Sequence, residues 1–435
     1  MKPTQLKPDE VKSLEIRDFK CIGPAQKVTF GALTVLSGAN STGKSTLMQP
    51  ILLLKQTLDS TFDPGPLRLR GPNVNISSTA QLLSKVPGAR TDGFEFCFKL
   101  SGGGHFRIVF SHTSNNGLDV ELTERKDAAN GVIRLRRGMT ADEMNVVFPD
   151  PLVPSGGEGP GIELFTNRCF LDLRRMSNRD VIYYRSLDQS MGLTSPIQQL
   201  AGQLMHLPGL RGPRDRNYEA AAVSTAFAGT FDRYAASTIL QWQVLEDRQK
   251  LDLLHGSLME LGLTWTVRAF PIEETVVELK VGRLPRRGRG GDDLVSIADV
   301  GAGIPQVLPI LVALVAAEPG AFIYVEEPEM CLHPRAQRLL GGLFAKAAAR
   351  GVRVVIETHS PVLLRSIQTL VARNELTKEQ VKLHWCTRDS KTGATRVQLA
   401  DLHDDGSFGE WPEDFADVEL QVEQEYLDAA SARRP

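Results

Sequence analysis

Eight consecutive residues, Gly38-Ala39-Asn40-Ser41-Thr42-Gly43-Lys44-Ser45, carry the spacing G-x-x-x-x-G-K-[ST]. Glycines at those positions let backbone N–H groups wrap a chain of phosphates, and a helix starting at the loop's end adds positive potential. In that arrangement Lys44 neutralises the β- and γ-phosphates and the Ser45 hydroxyl ligates Mg²⁺. The flanks agree: Leu33, Val35 and Leu36 read as a buried strand, and residues 46–56 read as a helix despite Pro50. Gly38 through Thr46 are therefore the candidate nucleotide-binding residues.

Two distant segments offer the remaining chemistry. Phe322–Val325 is a short apolar run followed at once by Glu326 and Glu327. Open α/β sheets bind ligands beyond the carboxyl ends of their strands. One carboxylate there serves a metal and the next polarises an attacking water. Glu326 is assigned to the metal and Glu327 to the water. The second segment repeats the pattern, with an apolar strand over 352–356 followed by Glu357-Thr358-His359-Ser360. His359 at a strand end suits a hydrogen bond to a γ-phosphate or to the same water.

These groups need elements that bring them to one place. Residues 11–19 alternate apolar and polar, and 27–30 lead towards the phosphate-loop strand; two strands ahead of the loop predict a mixed sheet. Residues 94–100 and 105–111 alternate across Ser101-Gly-Gly-Gly104, a hairpin that 119–122 and 132–135 would extend. Residues 67–70 read as a short strand. The pattern loosens over 138–218, and 218–262 is mostly helical, with a stripe from Ile239 and Leu240 through Trp242, Val244 and Leu245 to Leu261. Residues 264–270 and 275–281 return to strand alternation.

The 435 residues are 42% hydrophobic and 23% charged, with a net charge of −2, ordinary for a globular protein and without a global field to attract nucleic acid or membrane. Five scattered cysteines with no C-x-x-C pair argue against a disulfide framework and against zinc. A polar N-terminus and the lack of any membrane-length apolar run make the cytoplasm the expected compartment.

Taken together, the segments resemble the ATPase heads of the ABC class, close to the SMC, RecF-like and OLD-like ATPases of bacteria. LEIRDFKCIG followed by GANSTGKS is similar to the first half of such a head, and VEEPEMCLHP to its Walker B and D-loop. ETHSPVLL is similar to its switch-histidine segment, and Val295–Leu311 to its signature segment. The resemblance implies an α/β fold: an ABC-type P-loop ATPase head with a mixed sheet, an antiparallel β subdomain and an inserted helical/β arm. It divides the chain into 1–137 and 291–395 as head halves, 138–290 as a mainly helical arm, and 396–435 as an acidic tail. It implies ATP and Mg²⁺ as cofactors, and a site closed by a second copy whose Gly301, Gly303 and Gln306 cap the γ-phosphate. Pro305 stands where such proteins carry serine and supplies neither hydroxyl nor N–H. The tail segment 405–415 is similar to one found in a subgroup from anti-phage defence loci, which points to a separate effector protein as partner.

Other functions leave weaker traces. Arg283, Arg286, Arg287 and Arg289 form a basic loop suited to nucleic-acid phosphates, and Arg211, Arg214 and Arg216 a second, weaker cluster. Against this, residues 401–428 hold eleven acidic residues and no Lys or Arg. A fused nuclease would need more than the 75 residues that follow Ser360, and His403-Asp404-Asp405 is a thin metal set. A transporter energy subunit is disfavoured by the missing signature serine.

Overall fold

The computed structural model describes residues 10–113, 117–127, 131–147, 161–177, 180–185, 196–211, 216–224, 226–284, 293–409 and 424–429. Val11–Arg17 (β1) and Gln26–Thr29 (β2) pair antiparallel. Leu33–Ser37 (β3), buried at every residue, then leads through the phosphate-loop sequence into Lys44–Leu58 (α1). Gly93–Leu100 (β4), His105–Thr113 (β5), Gly117–Asp127 (β6) and Gly131–Arg136 (β7) extend β1 and β2 into a six-stranded antiparallel sheet, order β2-β1-β4-β5-β6-β7. The hairpin expected around residues 101–104 is present. The two strands ahead of the loop, however, lie in this sheet and not in that of β3: proximity in sequence did not make them neighbours of β3. Residues 67–70 form no strand; Arg70 makes only an isolated bridge to Asn75.

The region that reads as loose contains more strand than expected. After Ala141–Val147 (α2), Gly161–Asn167 (β8), Phe170–Ser177 (β9) and Asp180–Arg185 (β10) form a three-stranded antiparallel sheet. Pro196–Gln203 (α3) then leads into Leu204–Leu207 (β11), and Asn217–Glu219 (β12) follows. Ala235–Val244 (α4) and Arg248–Glu260 (α5) account for the helical stripe. Ile239, Trp242, Leu254, Leu258 and Leu261 are buried, but Val244 and Leu245 at the turn are exposed, because α4 ends there and the stripe does not continue. Val267–Glu273 (β13) and Val276–Gly282 (β14) form a hairpin joined by β12 and by Leu294–Ser296 (β15).

The last third completes the central layer with Gly303–Ala316 (α6), Phe322–Glu326 (β16), Pro334–Ala349 (α7), Arg353–Thr358 (β17), Pro361–Ala372 (α8), Val381–Arg388 (β18) and Thr395–Leu399 (β19). The central sheet runs β11-β16-β17-β3-β18-β19, parallel except for β19. Both faces are covered, which is why its strands are apolar runs and not alternating ones. Val35, Ile323, Val325, Val354 and Ile356 enter a core shared with α4 to α8, whereas Leu36, Phe322, Tyr324 and Val355 enter one shared with α1 and the antiparallel sheet. Strand alternation then puts Glu326 and Glu357 on the α1 side. The segment read as an arm is thus tied to the head, since its residues 204–207 supply the edge strand β11.

Candidate nucleotide site

The phosphate loop leaves β3 with Gly38 at φ 151 and reaches α1 through Gly43 at φ 95. A Cβ at Gly38 would lie 2.2 Å from the Cys386 carbonyl of β18, and one at Gly43 would lie 2.3 Å from Thr395 Oγ1 of β19. Both glycines therefore answer to packing as well as to conformation. The β18–β19 hairpin clasps the loop: Thr395 Oγ1 donates to Thr42 O (2.8 Å) and Thr395 N to Cys21 O (2.8 Å). Ala39, Asn40 and Ser41 are exposed at the loop's tip, Thr42 donates to Ala39 O, and Thr46 receives the Cys21 thiol. Lys44 is buried, its ammonium donating to Gly38 O (2.9 Å) and Ala39 O (3.0 Å).

Strand β17 lies between β3 and β16, so the ends of all three strands reach one sheet edge. Ser45 Oγ donates to Glu357 Oε1 at 2.7 Å, joining the loop to a residue 312 positions away. The other carboxylate oxygen accepts from Tyr324 OH, also at 2.7 Å. Burial pushes the Glu357 carboxyl up, opposed by the hydrogen bonds from Tyr324 and Ser45 and by the Lys44 charge. Burial and the Glu357 charge raise the Tyr324 phenol well above its usual value, which keeps it a donor.

Glu326 faces the opposite edge strand. Its Oε1 lies 3.1 Å from His206 Nε2 of β11, and its Oε2 accepts from Gly209 N at 3.1 Å. Burial acts to raise its carboxyl, but these bonds and the nearby Arg211 charge outweigh it and hold the group below the usual range. His206 in turn contacts Asn73 Nδ2 (3.1 Å) and stacks on the Tyr324 ring.

Glu327 follows with φ 43, a left-handed conformation that a non-glycine residue adopts at a cost. Its Oε2 lies 2.6 Å from His359 Nδ1. Burial first, then the charge and hydrogen bond of Glu329, raise its carboxyl to about 8, against the pull of Lys44. Glu329 fastens the two segments together by accepting from Thr358 Oγ1 and from His359 N. Glu327, Glu329 and His359 also form, among the described residues, a group whose potential ligand atoms all lie within 4.8 Å.

At the start of α6, Gly301 is exposed with open space around it, and Gly303 lies against the Cys331 carbonyl. Pro305 occupies the first turn, where its missing N–H leaves no helical bond unmade. Gln306 is engaged within its own chain: it accepts from Arg211 N and donates to Arg211 O. Arg211, 1% exposed, donates onward to Gln306 O, Pro208 O, Glu326 O and Glu327 O. Burial lowers its guanidinium to about 10, still charged at neutral pH. This arginine is thus a buried strut between the signature segment and the carboxylate turn and is not available to nucleic acid. Arg211→Met would leave up to four carbonyls without a donor; we expect a loss of about 3–5 kcal/mol, read as a lower denaturation midpoint.

Glu357, Glu329, His206 and Arg211 join the site only through the tertiary fold. Glu357 carries the same signal as Glu326, an acid at the end of an apolar strand. Arg216 pairs with Asp299 on the surface at 2.6 Å, whereas Arg214, Arg286, Arg287 and Arg289 lie outside the described residues and Arg283 inside them. His403, Asp404 and Asp405 do not gather as ligands: Asp404 pairs with Lys378 and Asp405 bonds Ser407. All five cysteines are free, and no helix among the described residues is long and apolar enough to cross a membrane.

Comparison with known families adds one partial match. Residues 180–365 match the family model described as "AAA domain, putative AbiEii toxin, Type IV TA system". The described residues show an α/β fold in which β3, the Gly38–Ser45 loop and α1 follow one another at the parallel central sheet. The AAA match spans the signature, carboxylate and histidine segments, while the phosphate loop lies outside it. No curated protein matches the chain. Among solved structures it is similar to an SMC head domain from Thermotoga maritima, with 9% identity over 90% of this chain and 100% of that one and a TM-score of 0.40. It is also similar to the Smc head with extended coiled coil bound to the C-terminal domain of ScpA from Pyrococcus furiosus, with 10% identity, 97% and 99% coverage and a TM-score of 0.45. A third, an SmcHead bound to the C-winged helix domain of ScpA, gives 10%, 91% and 98%, and 0.46.

Proposed function

We propose that the protein is a Mg²⁺-dependent ATPase that pairs head-to-head with a second copy when ATP is bound and so regulates a separate effector protein in bacterial anti-phage defence or DNA maintenance. The observation that carries the catalytic part is the Ser45–Glu357 hydrogen bond, which unites the phosphate loop with the strand that presents His359. In this reading Lys44 exchanges its loop carbonyls for phosphate oxygens. Glu327 accepts a proton from the attacking water at Oε2, and His359 holds that carboxylate and the water in line. The Ser45 hydroxyl and one strand-end carboxylate beside it would hold the ion, hard oxygen donors of the kind Mg²⁺ prefers. When bound, the ion would neutralise phosphate negative charge. Open space at Gly301 supports capping by a partner's α6, and with Gln306 occupied the cross-subunit contact rests on glycine amides. The matched family's description as part of a toxin–antitoxin system supports a place in a multi-component system.

The direct test is ATP turnover by the purified protein together with its mass in solution, with and without ATP. Turnover with an ATP-dependent doubling of mass is expected. Turnover from a species that stays monomeric would remove the dimer, and absence of turnover with Mg²⁺ would remove the enzyme.

A further inference from the structure

Two acidic residues end adjacent parallel strands on the same sheet face, in register as Glu326 and Glu357. Sequence pattern favours Glu326 as the metal carboxylate, yet the two side chains have gone in opposite directions. Both Glu326 oxygens are held from the β11 side, by His206 Nε2 and Gly209 N, at the sheet edge remote from β3. Glu357 sits on β17, directly beside β3, and meets the phosphate-loop hydroxyl. Its second oxygen is fixed by the buried Tyr324 phenol, so the carboxylate cannot swing away without stranding that donor.

We infer that Glu357, and not Glu326, is the carboxylate that holds the divalent cation together with Ser45. The assignment rests on the nucleotide-site reading above and names the ligand within it. The Ser45 and Glu357 oxygens lie 2.7 Å apart. Adjacent ligands on an octahedral Mg²⁺ with bonds of about 2.0–2.1 Å are separated by about 2.9 Å, so the pair is already spaced as two neighbouring corners. Tyr324 is then a positioning residue for Glu357, and Glu326 fastens the end of β16 to the turn after β11.

The experiment uses Mn²⁺ as the probe, with free Mn²⁺ followed by electron paramagnetic resonance while full-length protein is titrated with ADP. A fluorescent ADP analogue gives nucleotide affinity in EDTA. Glu357→Gln is expected to weaken Mn²⁺ binding by about 10- to 100-fold or more, since even outer-shell groups contribute that much, while ADP affinity in EDTA stays at the parental level. Glu326→Gln is expected to keep close to parental Mn²⁺ affinity. The reverse result, loss in Glu326→Gln and none in Glu357→Gln, overturns the assignment and leaves the nucleotide site standing. ADP binding that is the same with and without Mn²⁺ does so too. A parental protein that binds no ADP in either condition overturns the nucleotide reading itself. Should Glu357→Gln not fold, the Glu326→Gln arm decides: parental Mn²⁺ affinity there upholds the assignment, and a loss overturns it.

Discussion

Lys44→Ala will weaken ATP binding by roughly 10²–10³-fold, the largest effect on affinity of any single change in the loop. A hydrogen bond to a charged group contributes about 1.5–3 kcal/mol, so two lost phosphate contacts come to about 3–4 kcal/mol or more. The fold should survive. Lys44 holds only two carbonyls of its own loop, Gly38 O and Ala39 O. The glycine conformations and the Thr395 clasp that shape the loop do not depend on its ammonium. Thermal denaturation with and without ATP separates the two properties: the parent gains stability in proportion to ligand occupancy, and the variant does not. Unchanged nucleotide affinity in Lys44→Ala would remove the central site.

Glu327→Gln should act on the other half of the reaction. The amide is isosteric and lies in the same left-handed turn, and it relieves the repulsion from Glu329 that helps to raise the Glu327 carboxyl. Binding should therefore persist while the general base is lost, a reduction in turnover of about 10²–10⁴-fold. If the site closes between two copies, the stalled variant accumulates as an ATP-bound dimer, visible by light scattering behind a sizing column. Parental turnover in this variant would transfer the task of orienting water to a neighbour such as Glu329.

What could be seen in the sequence was whatever is local. The phosphate loop, the β4–β5 hairpin, and strands β16 and β17 announce themselves because period, turn residues and strand-end charges all lie within a dozen positions. β11 is only four residues long and contains His206; nothing but its parallel pairing with β16 marks it as part of the central sheet. β8 to β10 were hidden by charged residues such as Glu163 and Arg174, which pair across strands at the surface. Arg211 looked like a surface charge because its four carbonyl partners come from three separate stretches of chain. Glu357 stands in a motif that is plain in the sequence, but only the order of strands reveals which acid lies beside Ser45.

The hairpin that holds the phosphate loop has a consequence for how the protein is made. Thr395 reaches back 353 positions to Thr42, and β3 finds its two sheet neighbours only in β17 and β18. A ribosome will have delivered the loop long before the residues that seat it, so the nascent chain must wait, its fully buried strand β3 unpaired, until residues 353–388 have emerged. Capacity to bind nucleotide should therefore arrive late and all at once, and chains cut short before residue 395 should lack it.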